Sequence, residues 1–406
     1  MSGKSVKIVI LNFFWVLSTL VNADSWDKNQ SIILELEQSK SMEFTLQGPH
    51  NVSVASYFWK NYETRTYRVL LTGDNQISIL DQQNQKQYLF KDEKEIKFIS
   101  ASAQSYLKIG KRVFGGSFIV KLQDSLLTLS MRLNLEQYLM GTIWGEMGKW
   151  ISEPTAEAIK AQAVVARTYY LYHLKKMGVD YHFPSDESFQ VFQFSTDYPT
   201  NVSEAVKKTE GEILTYMNQP ILALYSSDCG GMPAQISEVW GESSSGYYRA
   251  IWDGPGYQNE FCKLDTKHFW HISLSCKEIR QLMITRWNLQ SDETIVDLLI
   301  NSRSASGRVN SLTIKTQRKE YTLNKEDIRF FFAGRKSERG LPSRLFGIYR
   351  QYHELKLERI DFLGVGMGHG VGMCQKGALR MSSLGYSYRE ILEHYYPLAQ
   401  IIKMKP

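Results

Sequence analysis

An alanine-rich segment, residues 156–177, constrains the fold of this chain more than any other sequence feature. Residues 152–155 supply helix-start signals, Lys175 and Lys176 give a basic last turn, and Gly178 supplies the stop. Alanines recur through the first half of the segment and allow other elements to approach closely. The pattern therefore predicts one long helix in the middle of a domain, not on its surface.

A second constraint is the segment 364–372, in which every second residue is glycine. If the segment is extended, the period of two places five glycines on one face and Val365, Met367, His369 and Val371 on the other. Glycine weakens a strand, so a bare face indicates that a helix or a ligand approaches the backbone there. A phosphate loop is excluded because the Lys-Ser/Thr ending is missing.

The remaining patterns predict the fold class. Short β-branched and aromatic runs separated by turn residues predict an antiparallel β region; they lie at 31–34, 67–71, 77–80, 118–120 and 126–129. Farther along, strands are predicted at 221–225, 271–274 and 312–314, and helices at 277–286 and 388–395. The sequence thus predicts an α+β protein, with a β-rich region over 24–108 and a mixed α/β domain over 109–406.

The N-terminus has the organisation of a secretory signal. Lys4 and Lys7 precede an apolar run over 8–20, and small residues at 21–23 suit signal peptidase. The run is shorter than the about 20 residues that span a bilayer, which favours cleavage after Ala23 over an uncleaved membrane anchor. We therefore expect export to the periplasm or to the cell envelope outside the cytoplasmic membrane, with membrane attachment only if the signal stays uncleaved.

The net charge and the aromatic content indicate which kinds of partner molecule the chain could bind. The 406 residues contain 48 Lys and Arg against 42 Asp and Glu, a net charge of +6 that falls to +4 without the two lysines of the signal. So mild a balance does not indicate a nucleic-acid partner. The 13% aromatic content, with 23 tyrosines, suits both a core and stacking on sugar rings.

Export also affects how the four cysteines are interpreted. Cys262 and Cys276 are fourteen positions apart and could form a disulfide in an oxidising compartment, whereas Cys229 and Cys374 lie far apart in sequence beside glycines. The run 262–276 also contains two histidines and superficially resembles a zinc site. The strand-like portion of this run would turn alternate residues outward, so a disulfide is favoured over a metal site. The spacing of the cysteines alone does not decide between the two.

Several segments together resemble one family. They are LEQYLMG and GEM within 135–147, EAIKAQAVVARTY at 157–169, YSSDCGG and EVWG within 225–241, GMGHGVGM and QKGA within 366–378, and ILEHYYP at 391–397. In order and spacing they are similar to the SpoIID/LytB family and cover roughly residues 110–402. The family includes stage II sporulation protein D, a lytic transglycosylase, and the LytB amidase enhancers.

The resemblance implies a cell-wall function. Enzymes of the family cut peptidoglycan glycan strands between N-acetylmuramic acid and N-acetylglucosamine, prefer strands stripped of stem peptides, and leave 1,6-anhydromuramic ends. It also implies an N-acetylmuramoyl-L-alanine amidase as a possible partner, and it implies no cofactor. Two alternatives stay open: a non-catalytic, glycan-binding enhancer of an amidase, and a structural envelope protein that acts through its β-rich region.

The resemblance also assigns site residues. Glu146 matches the catalytic glutamate of the family, and the matches to its substrate-binding residues are Lys160, Gln162, Arg167, Tyr225, Ser227, His369, Tyr395 and Tyr396. The chain departs from the family in having Glu-Met-Gly where Glu-Met-Pro is usual, with extra residues over 149–155. Some members bind zinc through cysteines just after the long helix. Residues 182–192 contain no cysteine, so the resemblance implies no metal site in this chain.

The chemistry can be argued from the residues themselves. An acid that protonates a glycosidic oxygen must stay protonated near neutral pH, which an apolar setting favours, and Trp144, Met147 and Trp150 flank Glu146. In a lytic transglycosylase the C6 hydroxyl of the muramic acid is the nucleophile, so one carboxyl group suffices. Lys160 and Arg167 would hold anionic groups such as the lactyl carboxylate. Tyrosines would stack on the sugars, and His369 alone is more typical of a hydrogen-bonded structural residue.

Overall fold

A computed structural model describes residues 31–72, 75–102, 105–241, 246–248, 250–256, 259–263, 268–290, 292–333 and 340–404. The predicted signal peptide, residues 1–23, lies outside the described residues. Among the helices that are described, none combines the length and the apolarity needed to cross a membrane. Strands predominate in the first third of the chain and helices appear after it, which confirms the predicted α+β class.

The N-terminal part consists of strands β1 to β12. They are β1 (Ser31–Ser39), β2 (Ser41–Gln47), β3 (His50–Val54), β4 (Tyr57–Asn61), β5 (Arg65–Leu71), β6 (Gln76–Asp81), β7 (Lys86–Lys91), β8 (Glu95–Ser100), β9 (Tyr106–Ile109), β10 (Arg112–Gly115), β11 (Phe118–Gln123) and β12 (Leu126–Asn134). One sheet has the order β1-β12-β11-β8-β3-β4 and the other β10-β9-β2-β5-β6-β7. All these neighbours are antiparallel, which confirms the predicted β region.

Alternating side chains explain how the two sheets pack. In β2 the residues Met42, Phe44 and Leu46 are buried while those between them are more exposed. The Phe44 ring meets Phe98 of β8 edge to face, with centroids 5.1 Å apart. The predicted boundary at 108/109 lies inside the β9–β10 hairpin, and the first sheet continues to the end of β12. The division of the chain at that point stays a prediction.

Three helices follow: α1 (Leu135–Met147), α2 (Ala156–Met177) and α3 (Thr200–Lys208). Short 3₁₀ turns at Gly148–Trp150 and Glu153–Thr155 connect α1 to α2. α2 has the predicted bounds and ends at Gly178, whose φ of 90° and N–H bond to the Leu174 carbonyl close the helix. Its inner alanines have no exposed surface, and it packs against both α1 and α3, so the predicted buried helix is confirmed.

A second core surrounds the other side of α2. It contains β14 (Glu212–Tyr216), β15 (Gln219–Pro220), β16 (Tyr225–Ser226), α4 (Ile236–Val239), β23 (Met373–Cys374), α7 (Gln375–Ser383), α8 (Tyr388–Tyr395) and β24 (Gln400–Lys403). α8 has the predicted bounds. The strand predicted over 221–225 is reduced to β16, because the Leu224 N–H turns back to the Leu222 carbonyl. β13 (His182–Pro184) instead joins β1 in parallel at the edge of the first sheet.

Between α4 and β23 the chain builds a third unit with its own core. Its elements are β17 (Phe269–Ser275), α5 (Cys276–Trp287), β18 (Ile295–Arg303), β19 (Val309–Thr316), β20 (Glu320–Asn324), α6 (Glu326–Phe331), β21 (Phe346–His353) and β22 (Lys356–Val365). These bounds confirm the strands predicted at 271–274 and 312–314 and the helix predicted at 277–286.

The glycine-alternating segment leaves β22 at Val365 and is not a continuous strand. Glycines 366, 368, 370 and 372 all have φ between 74° and 98°, in the left-handed region. A Cβ on Gly370 would lie 1.8 Å from Nη2 of Arg308, and one on Gly372 would lie 1.8 Å from the carbonyl oxygen of Leu224. The predicted extended geometry is therefore wrong. Other groups do approach this backbone, but at these two glycines they are the Arg308 side chain and the Leu224 carbonyl, not a helix or a ligand.

Candidate active site

Glu146 lies in the last turn of α1, where four segments of the chain meet. Its Oε1 accepts hydrogen bonds from the Val191 backbone N–H at 2.9 Å and from the Tyr225 hydroxyl at 3.0 Å. The side-chain amide of Gln375, the first residue of α7, donates a further hydrogen bond to the carboxyl group. The carboxyl group is therefore oriented by three donors from distant parts of the sequence.

Two glycines of α1 create the room for this arrangement. A Cβ on Gly145 would lie 2.4 Å from the Val191 carbonyl oxygen, and one on Gly141 would lie 2.2 Å from the Phe192 ring. The backbone N–H of Gln193 also donates to the Gly141 carbonyl at 3.1 Å. The segment 190–193 thus lies directly on the helix, and this contact brings the Val191 N–H to Glu146.

A buried network orients Tyr225. The Gln190 amide donates to the Tyr225 hydroxyl at 3.2 Å and accepts from the Tyr138 hydroxyl at 2.8 Å. Gln190 and Tyr138 are wholly buried. Gln190 stands between Phe189 and Val191 without a catalytic motif, so no site role could be predicted for it. Tyr138 belongs to the LEQYLMG segment, but its contact with Gln190 depends on the tertiary structure.

The predicted substrate-binding residue Gln162 is linked to Glu146 through one other side chain. It is buried in α2, and its Oε1 accepts from the Gln375 amide at 3.4 Å. The structure therefore places Gln162 where it orients Gln375, which in turn contacts Glu146. Gln375 belongs to the QKGA segment, but its contact with Glu146 could not be read from sequence.

Burial raises the pKa of the Glu146 carboxyl above its usual range. The hydrogen bonds from Val191, Tyr225 and Gln375 favour the ionised form and oppose that rise, while the negative charge of Glu187 adds to it. Burial prevails, so Glu146 holds its proton to higher pH than an exposed glutamate does. This is the property that a general acid needs.

His369 and Ser227 lie on the segments that meet around β16. The His369 ring packs against Trp240 with centroids 5.1 Å apart, and its Nδ1 accepts from the Val371 N–H at 3.0 Å. Burial lowers the pKa of His369 to about 4, so the ring is neutral at physiological pH. Ser227 directly follows β16 and is half-buried. Substrate binding by His369, Ser227 and Tyr225 stays a prediction.

Arg167 does not fit the predicted contact with substrate. Its side chain has no exposed surface. Nε and Nη2 form a bidentate pair with Glu136 of α1 at 3.0 and 2.7 Å, and Nη1 donates to the Glu212 carbonyl at 3.0 Å. The guanidinium is therefore fully used in joining α2 to α1 and β14. Its role in this structure is architectural.

The predicted tyrosine pair is likewise internal. Tyr396 is wholly buried, and its hydroxyl donates to the Leu224 carbonyl and accepts from the Met373 N–H at 3.1 Å. The Tyr395 hydroxyl donates to Asp253 at 2.8 Å, and the residue is 5% exposed. Neither ring offers a face to a sugar, so the predicted stacking does not fit this structure.

Lys160 belongs to the contact between α2 and α8. Its ammonium pairs with Glu157 and lies 5.9 Å from the centre of the Tyr388 ring. The Glu157 carboxylate also accepts from the Tyr388 N–H at 2.8 Å. These contacts hold α8 against α2, and they provide no link between Lys160 and Glu146. Substrate binding by Lys160 stays a prediction.

The cysteines are arranged differently from the pairing favoured by sequence. All four are free thiols, so the Cys262–Cys276 disulfide is not formed. Cys262 instead lies beside Cys229, with sulfurs 3.7 Å apart, while Cys276 begins α5. Cys374, far from Cys229 in sequence, accepts a hydrogen bond from the Cys229 backbone N–H at 3.2 Å.

Two family models match parts of the chain. Residues 123–216, which include α1 and α2, match the family model described as stage II sporulation protein, and residues 257–372 match a domain of unknown function, DUF8618. The second match spans the third unit from β17 to β22.

Three relatives show how far the similarity extends. An uncharacterized protein of Brachyspira hyodysenteriae is 29% identical over 296 residues, which cover 72% of this chain and 73% of that protein. Stage II sporulation protein D of Bacillus subtilis is 28% identical over 66% of this chain and 74% of its own length. The amidase enhancer of Bacillus subtilis is 29% identical over 64% of this chain, which spans only 39% of that protein. The stage II sporulation protein match over 123–216, which contains Glu146, and these relatives support a SpoIID/LytB family.

Proposed function

We propose that this protein is an exported peptidoglycan lytic transglycosylase. It would cleave the bond between N-acetylmuramic acid and N-acetylglucosamine in glycan strands, preferably peptide-stripped ones, and leave 1,6-anhydromuramic ends. The observation that carries the proposal is the Glu146 carboxyl group, whose pKa is raised by burial and whose Oε1 is fixed by the Val191 N–H and the Tyr225 hydroxyl.

The geometry suits a single carboxyl group that donates a proton and later accepts one. The Val191 N–H and the Tyr225 hydroxyl both donate to Oε1 and hold the carboxyl group, which carries the transferable proton when it is not ionised. Glu146 would give this proton to the glycosidic oxygen as the bond breaks. The carboxylate would then take the proton of the C6 hydroxyl as that oxygen attacks C1, so the proton is returned and no water is consumed.

The departure at Gly148 has a counterpart in the fold. Where the family pattern has proline, Gly148 ends α1, and its N–H bonds to the Trp144 carbonyl. The constraint that proline would supply is replaced here by the packing of 190–193 on Gly141 and Gly145. This packing supports a fixed Glu146 despite the altered motif.

The test is a product assay on amidase-treated glycan strands. Wild-type protein should release fragments with 1,6-anhydromuramic ends, detected by mass spectrometry, and Glu146→Gln should release at least about a hundredfold less, since it keeps the shape but cannot donate the proton. Glu210→Gln, a change at an exposed acid outside the site, is the matched control. Anhydro products at wild-type level from Glu146→Gln would contradict the proposal.

A second candidate is a non-catalytic enhancer of an N-acetylmuramoyl-L-alanine amidase. It is favoured by the relative named amidase enhancer and by Glu-Met-Gly at the motif. In this case the wild-type protein and the Glu146→Gln variant would bind glycan strands and stimulate the amidase equally well. Stimulation that disappears in the Glu146→Gln variant would exclude this candidate in favour of the first.

A further inference from the structure

Three cysteines and an aspartate from separate parts of the chain converge in the second core. Cys229 follows β16, Asp253 and Cys262 flank a loop after α4, and Cys374 ends β23. All four residues are wholly buried. One ligand atom from each lies within 4.8 Å of the others. The catalytic chemistry proposed above uses none of them.

The spacing of the sulfurs suits a metal ion. The Sγ atoms of Cys229 and Cys262 are 3.7 Å apart. Four ligands around zinc at about 2.3 Å form a tetrahedron whose sulfur–sulfur edges are about 3.8 Å. A disulfide would require about 2.05 Å between the same atoms. The pair is thus placed to share an ion.

Backbone donors point at the sulfurs. The N–H of Cys229 donates to Cys374 at 3.2 Å, the N–H of Gly231 donates to Cys262 at 3.1 Å, and the N–H of Gly377 donates to Cys374 at 3.4 Å. Cys374 is also the N-cap residue of α7, where the helix dipole favours negative charge. Such N–H groups are suited to serve as outer partners of metal-bound sulfur atoms.

Asp253 is supported from outside the cluster. Its Oδ1 accepts from the Tyr395 hydroxyl at 2.8 Å and lies 3.1 Å from Nε2 of His394. Its Oδ2 lies 3.0 Å from the sulfur of Cys229. A carboxylate fixed on one oxygen by outer partners and facing sulfurs with the other is the usual arrangement of a metal ligand.

The geometry points to a structural zinc site formed by Cys229, Asp253, Cys262 and Cys374. Sulfur-rich tetrahedral sets select zinc, and four protein ligands leave no position for substrate or water. The ion joins the end of β16, the 253–262 loop and the start of α7. It explains why Tyr395 is buried against Asp253, and it revises the expectation from sequence that no metal is bound.

Through α7 the site connects with Glu146. Gln375, which contacts both Glu146 and Gln162, directly follows the ligand Cys374. The ion would therefore fix the residue that orients the carboxyl group. This link to catalysis rests on the proposed function, whereas zinc binding itself does not.

The test is metal analysis of the purified full-length chain. We expect about one zinc ion per chain by inductively coupled plasma mass spectrometry, as for a closed four-ligand site. Each of the variants Cys229→Ser, Cys262→Ser and Cys374→Ser should lower zinc content at least about tenfold, and Tyr395→Phe should weaken zinc binding about tenfold as an outer partner. Cys276→Ser, at the cysteine outside the cluster, should keep its zinc.

A second measurement uses the wild-type protein and therefore tests the site even if the cysteine variants fail to fold. Wild-type protein exchanged with cobalt should show the thiolate-to-metal charge-transfer band and the visible absorption of a tetrahedral site. Glu146→Gln should bind zinc as wild type does, so that loss of activity and loss of metal are read separately. Wild-type protein without metal after growth in zinc, or a Cys229–Cys262 disulfide found by peptide mass spectrometry, would overturn the assignment.

Discussion

Replacing Gly145 with alanine sets helix propensity against the packing that positions Glu146. On propensity alone, alanine inside α1 should stabilise the helix by about 1 kcal/mol relative to glycine. The added Cβ, however, would lie 2.4 Å from the Val191 carbonyl oxygen, a backbone atom that cannot rotate away. One of the two segments must therefore move.

The magnitudes favour the steric effect. Overpacking of this kind costs about 1–3 kcal/mol. Displacing 190–193 also weakens the Val191 N–H bond to Glu146, worth about 1 kcal/mol for an ordinary hydrogen bond. After the gain in propensity, we expect Gly145→Ala to lower the free energy of unfolding by about 2 kcal/mol.

The assay is urea unfolding together with the anhydromuramic product assay. Gly347→Ala is the matched control, because a Cβ there has nothing within 4 Å. Gly145→Ala should unfold at lower urea than wild type and cut glycan more slowly, whereas the control should behave as wild type. If Gly145→Ala were more stable and fully active, the contact between α1 and 190–193 would not position Glu146 as argued.

Three further predictions follow from the same contacts. Tyr225→Phe removes a hydrogen bond that favours ionised Glu146, so the pKa of that carboxyl should rise further. The alkaline limb of the pH profile of kcat/KM should then move up by about one pH unit, and a limb that does not move would contradict the prediction. Arg167→Met leaves Glu136 without its buried partner and should lower the free energy of unfolding, measured in urea, by about 3 kcal/mol, while KM for glycan stays unchanged in the folded fraction. A raised KM at wild-type stability would instead support the predicted contact between Arg167 and substrate. Tyr396→Phe should cost about 1 kcal/mol without changing glycan affinity, measured by co-sedimentation with glycan strands, and lost binding would speak against an internal role.

Local features could be predicted from sequence because neighbouring residues determine them. The start and stop signals gave the bounds of α2 and α8, and alternating apolar residues gave the antiparallel region. The resemblance indicated Glu146 as the residue at the centre of the site. The assignment of residues 1–23 as a signal peptide also rests on local pattern, and it stays a prediction.

Contacts between distant segments could not be predicted in this way. Val191, Tyr225 and Gln375 reach Glu146 only because 190–193, β16 and α7 converge on α1. The left-handed glycines after β22 also depend on this convergence, since Arg308 and Leu224 fill the space that side chains would need.

The sequence by itself determined the class of fold, the long buried helix and the resemblance to a family, and it supplied residues with the right chemistry for a glycan site. The tertiary structure decided which of those residues face inward. A guanidinium pairs as well with Glu136 as with a substrate carboxylate, and a tyrosine hydroxyl bonds as well to the Leu224 carbonyl as to a sugar. Burial alone separates these uses, because a side chain without exposed surface cannot reach a ligand. Residues 229, 262 and 374 illustrate the same rule, since their proximity depends on contacts 33 and 145 positions apart in the chain.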